Sequence, residues 1–191
     1  MERLKQRILQ DGKYLGRGIL KVDAFLNHQV DPELMMACGE ALARRLSHTR
    51  PTKVLTAEIS GIAPALAAAY HLGVYLIFAR KHRPITLPED SFHVRVPSPT
   101  KGGEVELWLS PEWIGPQDRV LIVDDFLATG QTIEALAQLV RMAGGRVVGV
   151  GALIEKVFQK GREHLQYLNV PIESLVRIAR FEEDGAIIFA E

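Results

Sequence analysis

Residues 120–132, VLIVDDFLATGQT, decide the fold of this chain. They begin with four consecutive apolar residues, VLIV, which indicate a strand buried on both of its faces. After Asp124, Asp125 and a short loop, apolar residues recur at helical spacing over residues 131–143, which predicts an amphipathic helix. An apolar strand followed closely by a helix is typical of a parallel sheet that helices cover on both sides.

The same alternation continues on both sides of this stretch. A second apolar strand is predicted over residues 147–154, after the helix stop Gly144 and Gly145. Upstream, the patterns predict helices over residues 1–10, 32–46 and 64–72 and strands over residues 54–57 and 74–79. Downstream, residues 174–191 indicate two strands joined by a turn at residues 183–185. We therefore predict an α/β fold with a mostly parallel sheet flanked by helices.

The composition is that of one globular domain without a global charge. Of 191 residues, 47% are hydrophobic and 24% are charged, and the 23 basic and 23 acidic residues cancel. A neutral chain gives no reason to expect a nucleic-acid partner or an anionic membrane surface. Residues 1–10 lack the apolar run of a signal peptide, and polar and helix-breaking residues interrupt residues 61–79, so no membrane span is predicted. The single cysteine, Cys38, fits a reducing cytoplasm.

The loop before the predicted helix has the residues of a phosphate-binding site. The unpaired amides at a helix N-terminus attract anions, and Gly130 lets the backbone approach one closely. Thr129 and Thr132 add hydroxyl donors. Asp124 and Asp125 are predicted at the carboxyl end of the strand, where ligands of open α/β sheets bind. Paired carboxylates suit neighbouring ribose hydroxyls, which are donors, better than they suit phosphate.

This stretch resembles the phosphoribosyl-diphosphate (PRPP) signature of type I phosphoribosyltransferases. The resemblance implies their fold in a single domain, residues 1–191, with a small hood over the base site. The hood would comprise about residues 1–35 and the C-terminal segment, and residues 82–104 would form a flexible lid. It implies that catalysis rests on Asp124, Asp125, Arg80 and Lys81. It also implies PRPP binding by Ala128, Thr129, Gly130, Gln131, Thr132, Ser60 and Gly61.

The resemblance further implies Mg²⁺ and a second copy of the chain. Magnesium is expected to arrive bound to PRPP, because no cluster of histidines and carboxylates in the sequence predicts a metal site built by the protein. A homodimer is expected, as in other members of the family. No nucleic-acid or membrane partner is implied.

Two other segments are similar to those of bacterial xanthine phosphoribosyltransferases, a purine-salvage family: residues 20–32, LKVDAFLNHQVDP, and residues 153–162, LIEKVFQKGR. This resemblance implies transfer of the phosphoribosyl group to xanthine, with xanthosine 5'-monophosphate and diphosphate as products. It implies base contacts by Leu20, Asn27, Lys156 and Phe158. The Lys156 ammonium can donate to a purine O6 oxygen, which adenine lacks, so it favours a 6-oxopurine.

The residue at position 128 does not decide which purine base is transferred. Ala128 stands where hypoxanthine-guanine phosphoribosyltransferases carry an aspartate that handles a purine proton. Adenine phosphoribosyltransferases also tend to have alanine there, so transfer to hypoxanthine, guanine or adenine remains an alternative. A PRPP-sensing regulatory protein on the same fold is another, although the length leaves no room for a DNA-binding domain.

Each candidate residue also has a purely structural interpretation. The two aspartates could cap a strand, Ser60 and Gly61 could begin an ordinary helix, and residues 80–83 could form a solvated basic face. The four base-contact candidates could be a core leucine, a turn asparagine, a surface lysine and a core phenylalanine.

Overall fold

The predicted alternation of strands and helices runs along this computed structural model, which describes residues 1–97 and 103–190. In chain order, the elements are α1 (Glu2–Asp11), β1 (Lys13–Tyr14), β2 (Leu20–Lys21), α2 (Pro32–Leu46), β3 (Lys53–Ala57), α3 (Ile62–Leu72), β4 (Tyr75–Ala79), β5 (Phe92–Pro97), β6 (Glu104–Leu109), β7 (Arg119–Leu127), α4 (Gln131–Met142), β8 (Arg146–Lys156), α5 (Gly161–His164), β9 (Ile172–Phe181) and β10 (Ile187–Phe189). Within the described ranges, no helix is long and apolar enough to cross a membrane.

Six strands form the central sheet in the order β10-β9-β8-β7-β3-β4. The strands from β9 to β4 pair in parallel and β10 pairs antiparallel with β9, which confirms the predicted mostly parallel sheet. Leu121 and Val123 of β7 pack into a core that contains α2 and α3, whereas Val120 and Ile122 pack into the core of α4. Because alternate side chains of a strand point to opposite faces, a strand covered on both sides needs an unbroken apolar run.

Two central strands are longer than their apolar runs indicated. β7 continues to Leu127 and β8 to Lys156, and the two strands stay paired there. Asp124 and Asp125 therefore lie inside β7 rather than after it, and Lys156 ends β8 instead of lying beyond it. The predicted boundaries were wrong because backbone hydrogen bonds hold a strand in its ladder whether or not its side chains are apolar.

The segments predicted to form the hood pack against β9. Leu4 and Ile8 of α1 are fully buried in the core shared with α2. The ring of Tyr14 in β1 stacks on that of Phe181 in β9, with centroids 4.3 Å apart. Residues 20–30, which fit neither periodicity, form β2 and a single π-helical turn, Asp23–Asn27. A covering role for these segments stays a prediction.

The segment predicted as a lid, residues 82–104, contains regular structure that the sequence analysis missed. β5 pairs antiparallel with β6 in a two-stranded ribbon, and residues 98–102 lie outside the described residues. Arg80 and Trp108 exchange two backbone hydrogen bonds of 2.9 and 2.8 Å, which tie the ribbon to the end of β4. The polar residues, prolines and glycines of this segment made the ribbon look like a loop, although β5 itself alternates apolar and polar residues. Its closure over a ligand stays a prediction.

Candidate active site

The loop after β7 enters α4 as a cradle of backbone amides, residues 128–132. Gly130 has a left-handed φ of 86°, which glycine adopts without strain. No side chain caps this end of α4, so its first amides and the positive end of the helix dipole remain available to an anion. Thr129 is exposed, while Ala128, Gln131 and Thr132 are half-buried beside it. This geometry suits a phosphate group, and phosphate binding here stays a prediction.

The backbone of the cradle packs against a second glycine, Gly161, which begins α5 after β8. A Cβ on Gly161 would overlap the carbonyl oxygen of Ala128 and would lie 2.9 Å from the Gly130 nitrogen. Only a residue without a side chain allows the backbone of α5 to approach the cradle this closely. No local pattern signals this contact, because the two glycines lie 31 residues apart in the chain.

The acidic pair, Asp124 and Asp125, lies just before the cradle on the same strand. Asp124 is 7% exposed and its Oδ1 accepts a 3.0 Å hydrogen bond from the Asp125 amide. Burial raises the pKa of Asp124 well above its usual value, and the neighbouring charge of Asp125 raises it further. Burial also raises the pKa of Asp125, while Lys81 works to lower both. Hydrogen-bond donors or a positive charge brought by a ligand would stabilise the ionised form of both carboxylates.

A turn of residues 58–61 joins β3 to α3 and packs against the acidic pair. We call it the diphosphate turn after its predicted ligand. A Cβ on Gly61 would overlap Thr56 Oγ1 and lie 2.7 Å from Asp124 Oδ1, so glycine lets this turn touch the acidic pair. Thr56 Oγ1 is buried without a hydrogen-bond partner among the described residues. Ser60 is half-buried in the same turn.

Glu58 in this turn orders the basic pair, Arg80 and Lys81. Its carboxylate accepts 2.8 Å and 2.5 Å hydrogen bonds from Arg80 Nε and the Lys81 amide. Both basic residues are exposed, so their charges face solvent beside the diphosphate turn. Sequence reasoning did not single out Glu58, although it belongs to the same short motif as Ser60 and Gly61.

Two of the four base-contact candidates, Lys156 and Phe158, lie at the end of β8 and just after it. Lys156 is half-buried and donates a 2.8 Å hydrogen bond to the Gly18 carbonyl, 4.9 Å above the Phe126 ring. Burial lowers the pKa of Lys156, against the pull of Asp125. Phe158 is 39% exposed. These positions put an ammonium and an aromatic face next to the hood.

Phe158 is part of an aromatic cluster that the sequence did not reveal. Its ring meets Phe181 edge-on at 5.7 Å, and Phe181 in turn stacks on Tyr14. Leu20 is buried in the core, and Asn27 is exposed at the end of the π-helical turn. A contact of Leu20 or Asn27 with a base stays a prediction.

The site edge offers few metal ligands. Among residues 1–97 and 103–190, no group of three or more His, Cys, Asp or Glu side chains could hold a metal ion. The acidic pair alone supplies two carboxylates with raised pKa values, whose charge a nearby cation would offset. That donor set fits a magnesium ion whose remaining ligands come from a phosphorylated substrate and water.

Sequence comparisons point to one family. The family model for the phosphoribosyl transferase domain matches residues 27–183. The chain is 47% identical over 191 residues to xanthine phosphoribosyltransferase from Latilactobacillus sakei, covering 100% of this chain and 97% of that protein. It is 45% identical over 188 residues to the protein of the same name from Deinococcus deserti, covering 98% and 97%.

Solved structures resemble this chain over most of its length. Adenine phosphoribosyltransferase from Thermoanaerobacter pseudethanolicus superposes with a TM-score of 0.75 at 28% identity, covering 91% of this chain and 99% of that one. The Rhodothermus marinus enzyme of the same name gives 0.73 at 29% identity, covering 93% and 100%. The fold is thus shared across proteins named for different purines.

Proposed function

We propose that this chain, which belongs to the phosphoribosyl transferase domain family, transfers the 5-phosphoribosyl group of PRPP to xanthine. The products are xanthosine 5'-monophosphate and diphosphate, and the reaction is one of purine salvage. The observation that carries this function is an acidic pair with one glycine turn packed against Asp124 and a second glycine turn where β7 ends. Full-length relatives named for the same reaction support xanthine as the acceptor.

The three parts of the site match the three parts of PRPP. The cradle would hold the 5'-phosphate on the amides of α4, and the acidic pair would accept hydrogen bonds from the two ribose hydroxyls. The diphosphate turn and the basic pair would hold the diphosphate. Glu58 holds Arg80 through its Nε, which leaves the two terminal nitrogens of that guanidinium for phosphate oxygens.

In the reaction, the bond between ribose C1 and the diphosphate oxygen breaks and a bond from C1 to the base nitrogen forms. The electron pair of the broken bond leaves with diphosphate, where the basic pair offsets the growing negative charge. The carboxylates of the acidic pair lie near the ribose as C1 becomes positively charged, which stabilises that state. The base nitrogen gives up its proton to water. Ala128 has no group to take it, so an acidic purine such as xanthine is the acceptor that needs the least help.

In this proposal, Mg²⁺ enters the site bound to the substrate PRPP. The acidic pair and the diphosphate turn would hold Mg²⁺ together with PRPP, and the ion would supply charge neutralisation for the leaving diphosphate. The six histidines and single cysteine provide no alternative ligand cluster within the described residues. A cytoplasmic location agrees with the lone buried Cys38, and cell fractionation would test it.

We infer a homodimer from an apolar surface at the sheet edge. Tyr75 and Trp113 are 82% and 56% exposed. They line a groove of about 690 Å³ beside β4, together with Phe78 and Trp108. Exposed apolar patches of this kind mark interaction sites. Sedimentation should give twice the chain mass of 21.2 kDa, and a monomer at micromolar concentration would refute the dimer.

A direct assay tests the function. Purified protein is incubated with PRPP, Mg²⁺ and each of xanthine, hypoxanthine, guanine and adenine, and diphosphate release is followed. Turnover should require PRPP and Mg²⁺, should stop with excess chelator, and should be fastest with xanthine. If no base gives turnover while PRPP still binds, the chain is a PRPP-binding protein and not an enzyme.

A further inference from the structure

A buried ion pair between Glu155 and Arg162 lies next to Lys156 in the chain and takes no part in the chemistry described above. Glu155, the residue before Lys156, has a side chain only 3% exposed. Burial works to raise its pKa, but hydrogen bonds from Arg162 and Ser174, with the charges of Arg162 and Arg177, outweigh burial and lower it. Glu155 is therefore ionised inside the protein, and its partners must hold it there.

Arg162 makes most of the contacts that satisfy this carboxylate. Its Nε and Nη2 donate to the two Glu155 oxygens at 2.9 and 2.6 Å, the paired geometry that only a guanidinium offers. Its Nη1 donates to the Ile172 carbonyl at 2.6 Å, and Nη2 also reaches Ser174 Oγ at 3.3 Å. The side chain thus fastens α5 to both β8 and β9.

The chain between these two partners, residues 156–161, connects the predicted base site to the phosphate cradle. Lys156 and Phe158 stand at its start, on the base side. Gly161 at its end packs against the backbone of the cradle. The adjoining Leu165 and His164 come within 3.2 and 3.3 Å of the position that a Gly130 side chain would take. A shift of this connection would move the base groups and the phosphate cradle relative to each other.

We propose that Arg162 is a positioning residue, whose pairing with Glu155 sets the distance between the base site and the phosphate cradle. The inference rests on the proposed function, since the reaction joins a ribose held by one to a base held by the other. Misplacement of reacting groups by about 1 Å can cost on the order of 100-fold in rate. Arg162 itself need touch neither substrate.

The test compares variants of Arg162 with a control substitution of Arg177, the other arginine that contacts the Glu155 carboxylate. Arg162→Gln removes the paired contact, and Arg162→Lys keeps the charge without its geometry. Glu155→Gln with Arg162→Gln removes both charges, so one of the three should fold even if an unpaired carboxylate unfolds another. Arg177→Gln is the control, because Arg177 approaches Glu155 Oε2 at 3.4 Å from β9 and does not belong to the connection.

Calorimetry separates positioning from a general loss of structure. The Arg162 variants should bind ribose 5-phosphate about tenfold more weakly, while diphosphate affinity stays within about twofold because the diphosphate turn rests on β3. In turnover, kcat should fall and the KM values for PRPP and xanthine should both rise, whereas Arg177→Gln stays near wild type. Equal loss of both ligands, or unchanged ribose 5-phosphate binding in the folded variants, would overturn the proposal. A wild type that binds ribose 5-phosphate but never uses xanthine would refute the proposed function alone.

Discussion

Asp124→Asn is expected to abolish most activity while making the free protein more stable. Loss of one preorganised charge at a reacting centre costs about 10²–10³-fold in kcat, and we expect a fall of this size in kcat/KM for PRPP. At the same time, the change removes a buried charge that folding disfavours. The free energy of unfolding should rise by about 1–2 kcal/mol at pH 8, the usual size of such a gain at a functional site.

The stability that Asp124→Asn gains over wild type should increase as the pH rises. Burial and the charge of Asp125 raise the pKa of Asp124 above that of the unfolded chain. Between the two pKa values, the folded protein binds more protons than the unfolded one, so its stability falls as the pH rises. Asparagine carries no such penalty. The stability difference between Asp124→Asn and wild type should therefore be larger at pH 8 than at pH 5.

Asp118→Asn is the control at the opposite end of β7. Burial opposes the charged form of Asp118, but the hydrogen bonds from the Gly115 amide and Thr52 outweigh it and lower the pKa. This substitution should lower stability, by more at pH 8 than at pH 3, and leave kcat unchanged. Urea denaturation and steady-state rates on both variants decide the matter. A less stable Asp124→Asn at pH 8, or one with activity within threefold of wild type, contradicts our account of this residue.

Lys156→Ala is expected to damage use of the base far more than use of PRPP. A hydrogen bond to a charged donor contributes about 1.5–3 kcal/mol, so kcat/KM for xanthine should fall roughly 10–100-fold. The affinity for PRPP should change by less than about threefold, because the cradle and the diphosphate turn are held by other contacts. Steady-state kinetics and PRPP calorimetry measure both effects.

Two further variants separate the charge of Lys156 from its packing. Lys156→Met keeps an unbranched side chain over the Phe126 ring but cannot donate to O6 or to the Gly18 carbonyl. It should match Lys156→Ala in xanthine use. Lys13→Ala, which removes an exposed lysine from β1, should leave both substrates unaffected. Equal losses for xanthine and PRPP in Lys156→Ala would count against a role in base recognition.

The parts of the site that lie close together in sequence could be predicted, because local patterns encode them. The apolar run before Asp124 specified a buried parallel strand, and the glycine before the amphipathic helix specified the tight turn into that helix. Anion binding at this turn stays a prediction. Sheet class and helix positions followed from the same periodicities, and the structure confirms them. Within the central sheet, the ends of β7 and β8 were misjudged, since pairing extends through polar residues.

Contacts between distant segments could not be predicted in this way. The stacking of Tyr14 on Phe181 and the hydrogen bond from Lys156 to Gly18 join the two ends of the chain. Such contacts depend on how the sheet brings segments together, which no local spacing records. The ribbon of β5 and β6 escaped notice for another reason. Its prolines and polar residues were given more weight than the alternating apolar residues that mark a half-exposed strand.

The central claim is xanthine transfer, and the ratio of kcat/KM values for the four purine bases tests it most directly. With saturating PRPP and Mg²⁺, xanthine should exceed hypoxanthine and guanine by at least about tenfold, which requires 1.4 kcal/mol of discrimination. Adenine, which offers no O6 acceptor to Lys156, should give the lowest value. Adenine as the best substrate, or no preference among the 6-oxopurines, would contradict the account.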